Sequence, residues 1–178
     1  MECIHTEIKD CFIIKPTVFS DNRGYFFESF NEQKFNQITG LKIHFVQDNQ
    51  AKSDRGILRG LHFQKGAHAQ AKLVRVLQGK VIDVAVDLRK DSPTYLQHIA
   101  VELSAENNLQ LFVPRGFAHG YSVLEDNTVF GYKCDNYYNK EAEGGVFYAD
   151  PKLNINWQLN EDEIILSEKD KQLMNLAI

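Results

Sequence analysis

The sequence predicts an all-β protein, a β-sandwich or barrel with only a few short helices. Short runs rich in Val, Ile, Phe and Tyr recur along the 178 residues, and turn-forming residues separate them. Their number and spacing are typical of a sheet protein whose strands pack on two sides of one core. The runs lie at residues 12–19, 25–30, 43–47, 57–63, 72–77, 80–88, 98–103, 109–114, 121–124, 128–133 and 145–150.

The alternating pattern is clearest over residues 72–88, where two apolar stretches flank Gln78 and Gly79. Glycine can supply the positive φ that a tight turn requires, so this segment is predicted to form a β-hairpin. Alternation along its second arm predicts one core-facing side, Ile82, Val84, Val86 and Leu88, opposite Asp83, Ala85 and Asp87.

Three segments are predicted to be helical. They are residues 31–38, a single turn at residues 104–107, and a C-terminal helix from Ser167 to about Leu176. At the start of the last helix Ser167 can cap the backbone, and Asp170, three residues further on, can complete a capping box.

Composition and charge limit the number of domains, the kinds of partner and the cellular location to be expected. No linker or repeat interrupts residues 1–178, so a single domain is expected. The net charge of −4 argues against a nucleic-acid partner, although a few local Arg and Lys side chains can still hold a small anion. Without a signal-like or membrane-spanning stretch, we expect a cytoplasmic protein with no membrane partner. Cys3, Cys11 and Cys134 lack metal-site spacing and are expected to be free, structural thiols.

One predicted strand carries two polar candidates for a functional site. Alternation places Arg59 and His62 on opposite faces of it, unless Gly60 bends or bulges the strand. Taken alone, His62 is best explained as a hydrogen-bonded histidine of the barrel interior. Lys72, at the start of an apolar strand, is by itself typical of a solvated edge residue that keeps its ammonium in water.

His119 is a stronger candidate, because small residues surround it. Gly116 and Gly120 flank it, so its ring and backbone can approach a ligand closely. The late phenols, including Tyr132 and Tyr138, fit barrel packing with a satisfied hydroxyl as well as they fit a site.

Several kinds of chemistry lack their usual residue patterns. A barrel metal site would be expected to contain a His-x-His pair, which this chain does not have. Nucleophile-elbow, dinucleotide-binding and P-loop motifs are also missing from the sequence. Acid–base chemistry by His, Lys and Tyr therefore remains the best-supported class.

Taken together, the motifs resemble the dTDP-4-dehydrorhamnose 3,5-epimerases of the cupin superfamily. The resemblance covers nearly the whole chain and is carried by FSDNRGYFFESF (19–30), FVQDNQAKS (45–53), GILRGLHFQ (56–64), QAKLVRVLQGKVIDVAVDLRKDSPTY (70–95), LSAENNLQLFVPRGFAHGYSVL (103–124), YKCDNYY (132–138) and LSEKD (166–170). It implies a jelly-roll barrel, a homodimer, and cofactor-free, metal-free isomerisation of dTDP-4-dehydro-6-deoxy-D-glucose at C3 and C5. That reaction belongs to the synthesis of dTDP-L-rhamnose, a precursor of carbohydrates such as lipopolysaccharide.

The resemblance also implies a role for particular residues. His62 corresponds to the general base, Asp170 to the carboxylate that orients it, Lys72 to the cation at the C4 oxygen, and Tyr132 to the acid on the opposite face. Arg23 and Arg59 match positions that hold the diphosphate, and Tyr138 matches the aromatic residue that stacks on thymine. The other matched ligand contacts are Glu28, Gln47, Asp48, Asn49, Lys72, His119, Glu143 and Lys169. The resemblance implies that the second subunit supplies some of the contacts, above all Arg23 and Glu28.

The sequence departs from the family pattern at two positions, and several alternative functions remain open. Gln158 stands where the family commonly has Pro, and Tyr121 where Phe is usual, which adds a hydroxyl near the site. A related enzyme that epimerises C3 alone would share these motifs, and the retained Tyr132 favours the double epimerase. A ketoisomerase, a metal-dependent cupin and a cupin that binds a nucleotide sugar without turning it over are the other readings.

Overall fold

Two antiparallel sheets face each other across the main core of the protein. The computed structural model describes residues 1–176. Its strands are β1 (Glu2–His5), β2 (Phe12–Lys15), β3 (Phe19–Asp21), β4 (Gly24–Phe26), β5 (Gln47–Ser53), β6 (Leu58–Gln64), β7 (Lys72–Gln78), β8 (Lys80–Asp87), β9 (His98–Ser104), β10 (Gln110–Val113), β11 (Phe117–Val123), β12 (Thr128–Cys134) and β13 (Glu143–Gly145). One sheet has the order β1-β2-β10-β7-β12-β5 and the other β13-β6-β11-β8-β9, while β3 and β4 form a separate hairpin. This is the predicted all-β, cupin-like jelly roll.

Helices are short, as expected. The helix α1 (Glu32–Thr39) begins at Asn31, whose side chain accepts a hydrogen bond from the backbone N–H of Lys34 at 3.0 Å. It ends at Gly40 in the left-handed conformation. The 3₁₀ turns are Gly66–His68, Lys140–Ala142, Glu161–Glu163 and Asp170–Gln172. In the described residues no helix is long and apolar enough to cross a membrane.

The interior is built from three apolar clusters. The largest fills the space between the sheets and includes Val74, Val81, Leu111 and Phe130. A second covers the outer face of the five-stranded sheet, where Leu153 and Trp157 from the C-terminal segment pack on Leu58, Ile82, Val84 and Val86. The third lies under α1, where Phe35 packs on Phe12, Ile14, Leu73 and Phe112 of the six-stranded sheet.

The predicted hairpin over residues 72–88 is wrong. β7 and β8 are consecutive, but they belong to opposite sheets, and the chain crosses between them at Gly79, with φ of 77°. A Cβ there would lie 2.2 Å from the Thr128 hydroxyl, so the crossing needs glycine. Every residue of β8 from Val81 to Asp87 is buried, because one face of the strand packs in the core between the sheets and the C-terminal segment covers the other.

The predicted C-terminal helix from Ser167 to about Leu176 is also wrong. Only the 3₁₀ turn Asp170–Gln172 forms there, because this segment lies over the five-stranded sheet and the side chain of Asp170 bonds to that sheet. The single turn expected at residues 104–107 is present as an isolated turn, closed by the side chains of Ser104 and Asn107 and by a hydrogen bond from the Asn108 N–H to the Ser104 carbonyl oxygen at 3.1 Å. Run 43–47 reaches a strand only at Gln47, and run 145–150 only at Gly145.

Candidate active site

A cavity of about 300 Å³ opens between the two sheets. Strands from both sheets and the segment around the last 3₁₀ turn line it, and half of the site residues predicted from the sequence face it. The lining residues are Ala51, Arg59, His62, Lys72, His119, Gly120, Tyr121, Phe130, Tyr132, Ser167, Lys169 and Asp170. A smaller space of about 110 Å³ shares His62, Lys72 and Tyr132 with it and extends to Gln47, Asn49, Tyr138 and Glu143.

A bulge in β6 brings Arg59 and His62 to the same cavity. His62 pairs with His119 of β11 and Arg59 with Tyr121, so two residues of β6 stand against one of β11. Gly60 has φ of 115°, and a Cβ on it would lie 2.7 Å from the Gly120 Cα and the His119 carbonyl oxygen. The bulge at Gly60, which the sequence allowed as the alternative to regular alternation, is therefore present.

His62 and Asp170 form a hydrogen-bonded pair. The Nε2 atom of His62 lies 2.5 Å from Oδ1 of Asp170, across 108 residues of sequence. Asp170 is 3% exposed, and Ser167 donates a hydrogen bond to its Oδ2 at 2.9 Å. Burial by itself would raise the pKa of Asp170, but the hydrogen bonds from His62 and Ser167 outweigh it and hold that pKa below the usual carboxyl range. An ionised Asp170 fixes Nε2–H on the ring, which leaves Nδ1 of His62 as the basic nitrogen.

Lys72 and Tyr132 come from the opposite, six-stranded sheet. The Lys72 Nζ atom lies 5.7 Å from the centre of the Tyr132 ring. Neither the ammonium nor the phenol has a hydrogen-bond partner among residues 1–176, and both side chains line the cavity. Burial lowers the pKa of Lys72 and raises that of Tyr132. The site therefore presents a poorly solvated cation beside a neutral phenol.

His119 is held by a residue that the sequence did not single out as functional. Its Nε2 lies 3.0 Å from both carboxylate oxygens of Asp83, which is fully buried on β8. Burial lowers the pKa of His119, although Asp83 acts in the opposite direction. A carboxylate in the middle of a strand buried on both faces was the available signal for Asp83, because such a charge needs a partner.

Four predicted ligand contacts cluster at the mouth of the cavity. The Tyr138 hydroxyl donates to Glu143 Oε2 at 3.1 Å, and Lys169 forms an ion pair with the other carboxylate oxygen. Gln47 accepts the backbone N–H of Tyr138 at 3.0 Å. Glu143 thereby ties β13 to the segment that carries Asp170.

Three other candidates lie away from this cavity within the single chain. Arg23 is in the β3–β4 turn, where it pairs with Asp21 and leaves 85% of its side chain exposed. Glu28 pairs with Lys34 at 2.9 Å. Asp48 alternates with Gln47 and Asn49, so its carboxylate lies on the outer face of the sheet, 2.8 Å from the Lys133 Nζ atom.

No group of three or more His, Cys, Asp or Glu side chains within residues 1–176 is arranged to hold a metal ion. Cys3, Cys11 and Cys134 are free.

Comparison with known proteins identifies the family. The sequence profile of dTDP-4-dehydrorhamnose 3,5-epimerase matches residues 5–177. An enzyme of that name from Shigella flexneri is 51% identical over 96% of this chain and 93% of its own. The crystal structure of the Elizabethkingia anophelis enzyme shares 59% identity with a TM-score of 0.95, covering 98% of this chain and 96% of that one.

A third relative was crystallised with a ligand. It is a 3,5-epimerase from Legionella pneumophila in complex with dTDP-4-keto-L-rhamnose, with 45% identity and a TM-score of 0.94 over 98% of this chain and 92% of its own. The profile match, the identity to the curated relatives and the agreement of the fold all point the same way. The chain belongs to the dTDP-4-dehydrorhamnose 3,5-epimerase family.

Proposed function

We propose that the protein epimerises dTDP-4-dehydro-6-deoxy-D-glucose at C3 and C5 to give dTDP-4-dehydro-L-rhamnose, without a cofactor. One observation carries the proposal. The hydrogen-bonded pair His62–Asp170 comes from the five-stranded sheet and its covering segment, while Lys72 and Tyr132 face it from the other sheet. A sugar ring held between the sheets meets a base on one face and an acid on the other, which is what inversion of a carbon centre requires.

His62 is the base in this mechanism. Its Nδ1 takes the proton from C3 or C5, which the ketone at C4 makes acidic, and the electron pair of the broken C–H bond moves into an enolate. Asp170 stabilises the imidazolium that forms and keeps the ring in place. Asp170 acts through His62 and is therefore a positioning residue.

Lys72 and Tyr132 complete the inversion. The enolate carries its negative charge on the C4 oxygen, and the Lys72 ammonium, which lacks a protein partner in residues 1–176, is available to stabilise it. Tyr132 then donates its phenolic proton to the opposite face of the same carbon. His62 loses its proton to solvent and Tyr132 regains one before the second inversion.

We further propose that Arg59, His119, Gln47, Asn49, Tyr138, Glu143 and Lys169 contact the nucleotide sugar. Arg59 suits the diphosphate, because its guanidinium bonds only to the Ser53 hydroxyl, at 3.2 and 3.3 Å, in the described chain. Tyr138 is exposed at the mouth and offers a ring face to thymine. Asp48 points away from the cavity, so its contribution would act through Lys133 and the strand that carries Asn49.

We propose a homodimer with shared sites, in which the β3–β4 hairpin brings Arg23 and Glu28 to the partner's cavity. The hairpin extends from the sheets and leaves Phe19, Tyr25 and Phe26 between 61% and 70% exposed, an apolar surface suited to a second subunit. The three free cysteines accord with a reducing, cytoplasmic location.

Proton NMR in D2O tests the reaction. The C3 and C5 signals of dTDP-4-dehydro-6-deoxy-D-glucose are followed during incubation with the protein, and the product is then trapped with a reductase. Loss of both signals with an L-lyxo product supports the 3,5-epimerase. Loss at C3 alone would make the protein a 3-epimerase, and no exchange at either carbon would contradict the enzymatic proposal.

Subunit mixing tests the shared site. Arg23→Ala and His62→Ala proteins are each expected to be nearly inactive, since the first lacks the donated arginine and the second the base. A mixed dimer contains one cavity with an intact His62 and an intact partner Arg23. Co-refolding the two variants should therefore restore activity, and failure to do so in a verified mixed dimer would contradict the shared arrangement.

A further inference from the structure

The hydroxyl of Tyr121 is accessible from the cavity and forms no hydrogen bond within the described chain. Tyr121 is 5% exposed, and its ring stacks on Phe130 with 4.0 Å between the centroids. No residue within 1–176 forms a hydrogen bond with the hydroxyl, which opens onto the cavity that Tyr121 lines. Because the protein itself does not use this hydroxyl, it is free to bond to a ligand held in the cavity, which a phenylalanine at the same position could not do.

The surroundings of Tyr121 indicate the charge of that partner. In the sheet register Tyr121 stands opposite Arg59, whose guanidinium has only the Ser53 hydroxyl as a side-chain partner in the described chain. Burial raises the pKa of Tyr121, with Arg59 acting in the opposite direction, so the phenol remains a neutral O–H donor. An O–H donor beside a guanidinium with free N–H donors complements an anionic oxygen.

We propose that Tyr121 is a substrate-positioning residue that donates a hydrogen bond to the diphosphate held by Arg59. This inference rests on the function proposed above, which supplies the diphosphate. Tyr132 is the acid at the reacting carbon, whereas Tyr121 anchors the diphosphate of the same ligand, which stays attached throughout, and takes no part in proton transfer. Its contribution should therefore appear in affinity and KM and not in the chemical step.

Tyr121→Phe removes only the hydroxyl and leaves the aromatic stack with Phe130. We expect dTDP to bind about 10- to 100-fold more weakly by calorimetry, as for the loss of one charge-assisted hydrogen bond. KM for the nucleotide sugar should rise by a similar factor while kcat changes less than about twofold. Tyr95→Phe, which removes a hydroxyl from an exposed tyrosine outside the cavity, is the matched control and should change neither quantity.

A thermal melt separates binding from folding. The ligand-free Tyr121→Phe protein should unfold at the same or a higher temperature than the wild type, and dTDP should raise its melting temperature less. Unchanged dTDP affinity in Tyr121→Phe would overturn the inference. If KM rose in that case, the hydroxyl would contact the sugar and not the diphosphate. If the wild type binds dTDP but epimerises nothing, the proposed function fails while the diphosphate contact can still be measured.

Discussion

Replacing Asp170 with Asn tests whether its charge orients and activates His62. Asp170→Asn keeps the size of the side chain, and the amide oxygen can still accept the Nε2–H hydrogen bond of His62. In the wild type His62 Nε2 lies 2.5 Å from Asp170 Oδ1. What is lost is the negative charge that stabilises the imidazolium. A hydrogen bond to a charged group contributes about 1.5–3 kcal/mol, and about 1.4 kcal/mol corresponds to a factor of ten in rate. We therefore expect kcat to fall about 10- to 100-fold, with KM nearly unchanged.

The assay is deuterium wash-in at C3 and C5 under single-turnover conditions, which reports proton abstraction directly. Asp150→Asn is the matched control, because Asp150 is equally buried, at 1% exposed, but accepts only backbone N–H groups, from Lys152 and Leu176, outside the cavity. It should affect the unfolding temperature and not the exchange rate. If Asp170→Asn exchanges protons within twofold of the wild-type rate while remaining folded, the carboxylate does not activate the base.

The remaining predictions concern the other groups of the cavity. His62→Ala should abolish exchange at both carbons while dTDP binding survives, and unchanged turnover would exclude His62 as the base. Tyr132→Phe should slow epimerisation far more than C3 exchange, whereas equal loss of both would show that the phenol is not the opposite-face acid. Because burial lowers the pKa of Lys72 and raises that of Tyr132, activity should fall as pH rises through the lysine pKa. Lys72→Arg should move this alkaline limb of the pH profile to higher pH. A limb that stays at the same pH would show that a group other than Lys72 causes it. A strong chelator should leave the rate unaltered, and a loss that added metal reverses would revive the metal-dependent reading.

The fold was predictable where local pattern decides structure. Alternating apolar residues located most strands, and Asn31 located the start of α1. The pairing of β7 with β8 was not predictable in this way. Both strands turn apolar side chains toward the same core, so their alternation is identical whether they pair in one sheet or face each other from two.

The site was predictable from residue type only in part. Gly60 carried a local signal, because a glycine inside a strand often marks a bulge, and that bulge joins Arg59 to His62. The partner of His62 lies 108 residues away, and only the family motif indicated Asp170. The open hydroxyl of Tyr121 could not be predicted either, because its lack of a partner depends on what the folded chain places around it.

The two sides of the cavity differ in how far they are assembled before substrate arrives. On the five-stranded side His62 is already oriented by a buried carboxylate, which is itself held by Ser167. On the six-stranded side Lys72 and Tyr132 have no partner in the described chain, and burial shifts both pKa values toward the neutral form. Burial disfavours the charged form of each group, and a negative charge on a ligand between the sheets would favour the lysine cation again. In the proposed mechanism the base, His62, is thus positioned in advance, whereas Lys72 and Tyr132 are kept poorly solvated, where their interaction with an enolate would be strongest.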